Sequence, residues 1–271
     1  MSSEEAERGE EVFRRSSYHQ VGDIIILNLK GEEEVEAARV FAKQLAMRLG
    51  RIRSVYGKLG TEGDFRVPRL VHLWGEKNTM TVVKEHGVEL VVNVAAAYYN
   101  PRLADEHRRI AEEVRDGERV LDMFCGIGGF TLQIAHRRKA LVFSNDINAR
   151  AIELLVVSLV RNRRRLRGRV YATCMDSLLL DRVYPEGFFN RAIMNNPLRP
   201  EGFTVVAEKL LAPEGIIHLY VLAEKNRVEE RVRSALEGTH SLEITSVKEV
   251  LEYSPSKSIF RVDLLKASQQ Q

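Results

Sequence analysis

An α/β doubly wound sheet preceded by a small α+β domain is what this 271-residue sequence predicts, on three observations. Beyond residue 118, short apolar runs alternate with segments whose apolar residues recur at helical spacing, the pattern of a parallel sheet with crossover helices. The stretch Arg119-Val-Leu-Asp-Met-Phe-Cys-Gly-Ile-Gly-Gly-Phe130 passes from an apolar strand through a glycine turn into a helix. Such a turn brings backbone N–H groups close to a ligand. Finally, polar residues close successive strands: Asp122, Asp146, Asp176 and Asn195. Ligands of open parallel sheets bind at that end.

Taken in order, residues 1–17 are charged and poorly periodic and read as a flexible lead-in. A small α+β domain is expected over 18–97. Its elements are a strand at Val21–Leu29, a helix from Glu33 to Leu49 that stops at Gly50, and short strands at Val55–Leu59, Leu70–Trp74, Thr79–Val83 and Val88–Val94. Tyr98-Tyr-Asn-Pro-Arg-Leu-Ala-Asp-Glu-His107 is the junction, with Pro101 and Asp105 suited to a turn into a helix that runs to about Val114. The second domain, 98–271, has strands at Arg119–Phe124, Ala140–Asn145, Arg169–Cys174, Phe189–Met194 and Gly215–Leu222. Helices are expected from Phe130, over Ala149–Arg163, about Gly202–Leu211 and Val228–Leu236, and a last strand pair at Glu243–Leu251 and Ser258–Leu265.

With 44% hydrophobic residues the chain can bury a full α/β core. It has no apolar run long enough to span a membrane and no signal-peptide pattern at its start. Cys125 and Cys174 sit among apolar neighbours and read as reduced packing residues of a cytoplasmic protein, not a disulfide or a metal pair, and no metal site is expected. Net charge is only +3, but six arginines crowd one stretch: Arg161, Arg163, Arg164, Arg165, Arg167 and Arg169. They fit contacts to nucleic-acid phosphates; they also fit a solvated helix end whose dipole arginine complements.

The spacing of Gly126, Gly128 and Gly129 is not that of a dinucleotide fold. An acid directly before the glycines, Asp122, suits a ligand with a cationic amine, and Asp146 after the next strand suits a ribose diol. Together they look like the cofactor site of a class I S-adenosylmethionine-dependent methyltransferase, whose doubly wound sheet is mostly parallel with an antiparallel final strand. On that resemblance Asp176 would accept from the adenine amino group, with Ser177 beside the ring, while Phe124 and Ile147 would flank the cofactor. Asn195-Asn-Pro197 would be a polar-Pro motif like that of enzymes that methylate nucleobase nitrogens, with Pro197 holding the loop. Asp146 and Asp176 equally suit helix N-caps.

More specifically, the chain resembles the archaeal and eukaryotic tRNA (guanine-37, N1)-methyltransferases. The segments that carry the likeness are Gly63-Asp-Phe-Arg-Val-Pro-Arg69, Tyr99-Asn-Pro-Arg-Leu-Ala-Asp-Glu-His107, Asp122-Met-Phe-Cys-Gly-Ile-Gly128, Asn145-Asp-Ile-Asn148 and Ile193-Met-Asn-Asn-Pro197. The resemblance implies a tRNA substrate met at its anticodon region and S-adenosyl-L-methionine as cofactor. It also implies Glu106 as general base, Arg66 and Arg102 on the guanine, Asn195 in the catalytic motif and His107 against the cofactor. The chemistry agrees: guanine N1 carries a proton that a base must remove, and negative charge then spreads toward O6, where a cation stabilises it. A salt-bridge network at the junction would use the same residue types. Many members carry a further N-terminal domain that inspects the tRNA elbow, which this chain is expected to lack; a monomer is expected. A sister branch transfers the aminocarboxypropyl group of the same cofactor to a wyosine precursor at the same nucleotide, and an RNA-binding module without activity is the remaining alternative.

Overall fold

The computed structural model describes residues 18–62 and 67–268. The lead-in and Arg66 therefore lie outside the described residues. The chain divides into two compact units, one reaching to Glu85 and taking in Glu89–Tyr99, the other formed by His86–Val88 and everything from Asn100 onward.

In the first unit the apolar run expected as one strand is two, β1 (Tyr18–Val21) and β2 (Ile24–Asn28). The break falls at Gly22, whose φ of +59° glycine adopts without strain, and a Cβ there would lie 2.2 Å from Thr81 Oγ1. Helix α1 (Val35–Leu49) ends at Gly50, left-handed at φ +71°, with its N–H returning to the carbonyl of Ala46. With β3 (Ser54–Glu62) and β4 (Val67–Gly75), β1 and β2 make a four-stranded sheet in sequence order, parallel only between β2 and β3. Its core packs Leu27, Val55 and Leu73 against Ala38, Ala42 and Leu45 of α1. A separate ribbon pairs β5 (Met80–Glu85) with β6 (Val88–Asn93).

The second unit carries seven strands in the order β12-β13-β11-β10-β7-β8-β9. Parallel pairing joins β7 (Arg119–Asp122), β8 (Leu141–Asn145), β9 (Arg169–Thr173), β10 (Phe189–Met194) and β11 (Leu211–Glu224). The hairpin of β12 (Leu242–Ser254) and β13 (Lys257–Lys266) closes one edge antiparallel to β11. Helices α2 (Ala104–Glu113) and α3 (Gly129–Arg137) bury Ile110, Ala111, Phe130 and Ile134 against Val120, Ile193 and Tyr220 on one face of the sheet. The opposite face packs Leu121, Ala192, Leu219 and Val262 with α5 (Phe203–Leu210) and α6 (Val228–Ala235), while α4 (Ala149–Asn162) links β8 to β9. This is the expected mostly parallel class I arrangement, with β11 longer than its sequence signal because it begins directly at the end of α5. No helix among the described residues is long and apolar enough to cross a membrane.

Candidate cofactor and active site

Parallel register puts the ends of β7, β8 and β10 on one rim, where Asp122 stands level with Ser144 and Ile193. Asp122 is fully buried. Its Oδ2 accepts from the Thr131 hydroxyl at 2.8 Å, and that hydroxyl meets Ser144 Oγ at 2.7 Å. Its Oδ1 has no partner among the described residues. A buried carboxylate oxygen left so costs roughly 1–3 kcal/mol, more when charged, so it marks the seat of a donor. Burial pushes the Asp122 carboxyl up to about 7, with Asp146 adding in the same direction and Thr131 opposing.

The glycine turn that follows is divided in purpose. Gly126 sits at φ +52° with nothing within 4 Å of where a Cβ would be, so its surface is open to a ligand. Gly128, at φ +96°, starts α3, and a Cβ there would strike Leu155. Gly129 is filled from the other side: a Cβ would fall 2.4 Å from the ring of His107, which also lies edge-on to Phe130 at 4.6 Å. His107 is thereby buried as a packing partner of the turn.

Asp146 ties the turn to the next loop, its Oδ2 accepting from Gly126 N–H at 2.8 Å and its Oδ1 from Asn148 N–H at 2.9 Å. Each oxygen keeps a further lone pair, as two ribose hydroxyls require. Burial raises this carboxyl as well. Asp176 caps the short 3₁₀ turn Ser177–Arg182 through Leu178 N–H, so its N-cap reading holds, and one oxygen is taken. Ser177 is buried, its hydroxyl donating to Met123 O and accepting from Asn145 Nδ2. It acts there as a brace between loops. Phe124 packs edge-on to Phe203, Ile147 is exposed, and Pro197 fixes its loop through Leu222 N–H. The Asn195 side chain, half-buried at the end of β10, makes no hydrogen bond among the described residues.

Glu106, expected as the general base, is engaged through both of its oxygens. It is 3% exposed, on the sheet side of α2. Oε1 accepts from Tyr220 Oη at 2.8 Å and from Arg261 Nη1 at 3.0 Å, and Oε2 from Arg109 Nη1 at 3.0 Å. The network continues down the sheet. Arg261 Nε lies 3.0 Å from Asp263 Oδ1 but out of line for a hydrogen bond; Asp263 Oδ1 meets His218 Nδ1 at 2.6 Å; His218 Nε2 meets Arg191 Nη1 at 2.6 Å; Arg191 Nε meets Glu118 at 2.9 Å. The salt-bridge alternative at the junction is therefore present around Glu106. Arg102 is exposed and donates to Glu252 O at 3.2 Å. Cys125 is buried as expected, but Cys174 is exposed, since β9 is the open edge of the sheet.

Tyr220, Arg261, Arg109 and Thr131 were not singled out from the sequence. A signal existed for two of them: Arg261 and Asp263 stand two apart in an apolar strand, and so do His218 and Tyr220. Polar residues two apart share one face of a strand, and here that face is buried.

Comparison with known proteins fits this rim. Residues 81–246 match the TRM5/TYW2 methyltransferase domain and residues 3–79 the TYW2 N-terminal domain. The chain belongs to the TRM5/TYW2 methyltransferase family. Within that family it is 32% identical over 248 residues to the tRNA (guanine(37)-N(1))-methyltransferase Trm5b of Methanocaldococcus jannaschii, covering 91% of this chain and 70% of that one. It is 29% identical over 218 residues to the tRNA 4-demethylwyosine(37)-methyltransferase Taw21 of Saccharolobus solfataricus, covering 80% and 81%. The solved complex of aTrm5 with tRNALeu superposes with a TM-score of 0.80 at 29% identity, over 97% of this chain and 78% of that one. Trm5 of M. jannaschii in complex with adenosine superposes with 0.80 at 28%, over 99% and 80%. This chain thus carries a match to that N-terminal domain ahead of its methyltransferase domain.

Proposed function

We propose that this chain transfers a methyl group from S-adenosyl-L-methionine to N1 of guanosine 37 in tRNA. The observation that carries the reading is the likeness, over 91% of the chain, to a relative named for that reaction, joined to a rim on which Asp122 Oδ1 and the Asn195 amide are left for a ligand. S-adenosylmethionine supplies an electrophilic methyl on a sulfonium. Asp122 would hold its ammonium, Asp146 its ribose, and Gly126 would let the backbone approach it.

The residues of the chain do the rest. Asn195 would orient the target base through its amide. Glu106 would take the N1 proton on Oε2, which is held by Arg109, a side chain half-exposed and so able to swing clear, while Tyr220 and Arg261 keep Oε1 in place. Arg102 would face the charge that develops toward O6. Arg66 is proposed for the same role on the resemblance alone.

A second reading has its own support. The match to the TYW2 N-terminal domain and the likeness to Taw21, whose length this chain nearly spans, favour a wyosine precursor at the same nucleotide as the acceptor, or aminocarboxypropyl transfer to it. One experiment separates them. Unmodified tRNA transcript and, in parallel, tRNA carrying the tricyclic precursor at position 37 are incubated with cofactor labelled either in the methyl or in the carboxyl group, and the product nucleotide is mapped by mass spectrometry. Methyl label on N1 of G37 supports the first reading; carboxyl label, or methylation only of tRNA carrying the tricyclic precursor, overturns it.

A further inference from the structure

The arginine tract serves nothing in the site described, because it lies at the other end of the sheet. Arg169 opens β9, level with Leu141 and Arg119 at the starts of β8 and β7, roughly 13 Å below the rim at ~3.3 Å per residue. Arg161 falls in the last turn of α4, where a cation complements the helix dipole. That effect fades within a turn, so it takes in Arg161 and the C-cap Arg163 but leaves Arg164 to Arg169 without an account.

Their display is rigid. Arg165 N–H returns to Asn162 O, and both Arg167 N–H and Gly168 N–H go to Ala135 O. Arg169 N–H goes to Ala140 O, Asn162 is fully buried, and Leu166 packs against the core. Gly168 admits no side chain, since a Cβ would lie 2.7 Å from Ala140 O and 2.8 Å from Arg138 O.

Three of the charges are also uncompensated. Several arginines elsewhere on the surface stand beside carboxylates: Arg39 with Glu36, Arg53 with Asp23, Arg108 with Glu112, Arg150 with Glu153, Arg227 with Glu230. No Asp or Glu occurs between Glu153 and Asp176. The side chains of Arg163, Arg164 and Arg169 are exposed and have no ion pair or hydrogen bond among the described residues, and Arg167 reaches Asp116 only at 3.7 Å. A fixed turn that holds Arg163, Arg164 and Arg169 together without counter-ions among the described residues is arranged for an external polyanion.

The route from the rim is open. β9 is an edge strand, and the exposed Tyr171 ring stands between Arg169 and the loop of Asp176, backed by Phe143 at 4.9 Å. An aromatic ring beside arginines suits RNA, which stacks bases as well as offering phosphates.

We propose that Arg163, Arg164 and Arg169 form a phosphate-binding surface that holds the tRNA substrate, along the β9 edge, at a distance from the reacting base. The inference rests on the RNA substrate of the proposed function but not on which atom is modified. The test uses the full chain with Arg163, Arg164 and Arg169 changed together to Gln, and in a second variant to Lys. Binding of unmodified tRNA transcript is titrated over a range of salt concentrations. The Gln variant is expected to lose about tenfold or more in affinity and to lower the slope of log affinity against log salt by about two to three, one for each contact removed. The Lys variant should keep the slope, and cofactor affinity should be normal in both. Unchanged tRNA affinity and slope in the Gln variant overturn the proposal. Loss of binding to anionic lipid vesicles with tRNA binding intact assigns the surface to a membrane and overturns it too. Binding is read without turnover, so a parent chain that binds tRNA yet methylates none fails the proposed function and leaves this inference standing.

Discussion

The two ends of the parallel sheet are built on one backbone and could hardly differ more in charge. At the ends of β7 and β8 sit Asp122 and Asp146, raised by burial. At the starts of β7 and β9 sit Arg119 and Arg169, with the arginine turn beside them. Helix direction explains part of this, since helix N-termini point to the first end and C-termini to the second. It does not explain why Asp122 is buried with an unpartnered oxygen while Arg163, Arg164 and Arg169 are exposed without counter-ions among the described residues. The first arrangement is made for a small ligand that brings its own donors, the second for a large polyanion that brings its own charge. A buried ladder from Glu106 to Glu118 runs down the sheet between the two ends, so substitutions can be placed at either end or in the middle.

The largest effect is expected at the rim end of the ladder. Glu106→Gln removes the proposed proton acceptor while keeping shape, and should lower the single-turnover rate by about 10²–10⁴-fold with cofactor affinity near normal. The same change leaves Arg261 buried opposite a neutral amide, which costs stability, because breaking a buried pair is expensive. The rate must therefore be read on protein shown to be folded by its thermal transition. Unchanged turnover would make Glu106 purely structural and reduce the rim to a cofactor site.

Next in size is Asp146→Ala, which strips two backbone N–H groups of their acceptor and any ribose of its partner. Hydrogen bonds to a charged group contribute about 1.5–3 kcal/mol each, so S-adenosylmethionine affinity should fall by about 10- to 100-fold, read by calorimetry. Gly126→Ala sharpens the same point. Its Cβ enters open space, so the fold should persist at a cost of about 1 kcal/mol for the left-handed backbone, while the cofactor is displaced. Gly129→Ala should instead disturb His107 and the fold. Equal outcomes for the two glycines would mean that the turn has no ligand side.

What could be read from the sequence follows from what each feature depends on. Strand, turn and helix order is local, so Arg119 to Phe130 and the position of Asp122, Asp146 and Asn195 on one rim were legible. The division of β1 from β2 was not, because Gly22 sits inside an unbroken apolar run and only the close approach of Thr81 demands the turn. The role of Glu106 was legible only through resemblance. Its partners Tyr220 and Arg261 stand more than a hundred residues away; their two-residue spacing marks a polar strand face but not its pairing with Glu106. Asp176 shows the converse: a local cap and a ligand contact use one residue type, and its Oδ1 accepts the capping N–H of Leu178.

A smaller effect separates the two ends by pH. With Asp122 pushed up to about 7 by burial, its charged form is lost as pH falls through neutrality. A cationic ammonium then loses its counter-ion, so S-adenosylmethionine affinity should weaken by up to about tenfold per pH unit below that value. Asp122→Asn should bind more weakly throughout and show a flat profile. Binding of tRNA without cofactor, which rests on the arginine turn and not on Asp122, should be insensitive to the same change of pH. Parallel pH dependence of the two would deny that the ends act separately.

The smallest effect belongs to the middle of the ladder, and its sign is fixed by geometry. His218 Nε2 faces the donor Nη1 of Arg191 at 2.6 Å, so it must be the unprotonated nitrogen, and Nδ1 carries the proton toward Asp263. Burial first, then the Arg191 charge, hold the imidazole below its usual 6.5 against the pull of Asp263. Burial would raise the Asp263 carboxyl, but the hydrogen bond from His218 and its other partners keep it at about 2. Both groups bind protons more readily in the unfolded chain. Their contribution to stability is present in full above 6.5 for the histidine and above 3.8 for the aspartate, and each is lost as pH falls through the lower folded value. The urea midpoint should therefore decline between pH 7 and pH 5, where only the histidine titrates of this pair. In His218→Gln, whose amide can still accept from Arg191, that decline should flatten. A midpoint that rises on acidification would require an imidazole protonated on both nitrogens in the folded protein, with Nε2 pressed against a guanidinium donor, and the contact between His218 and Arg191 would then have to be redrawn.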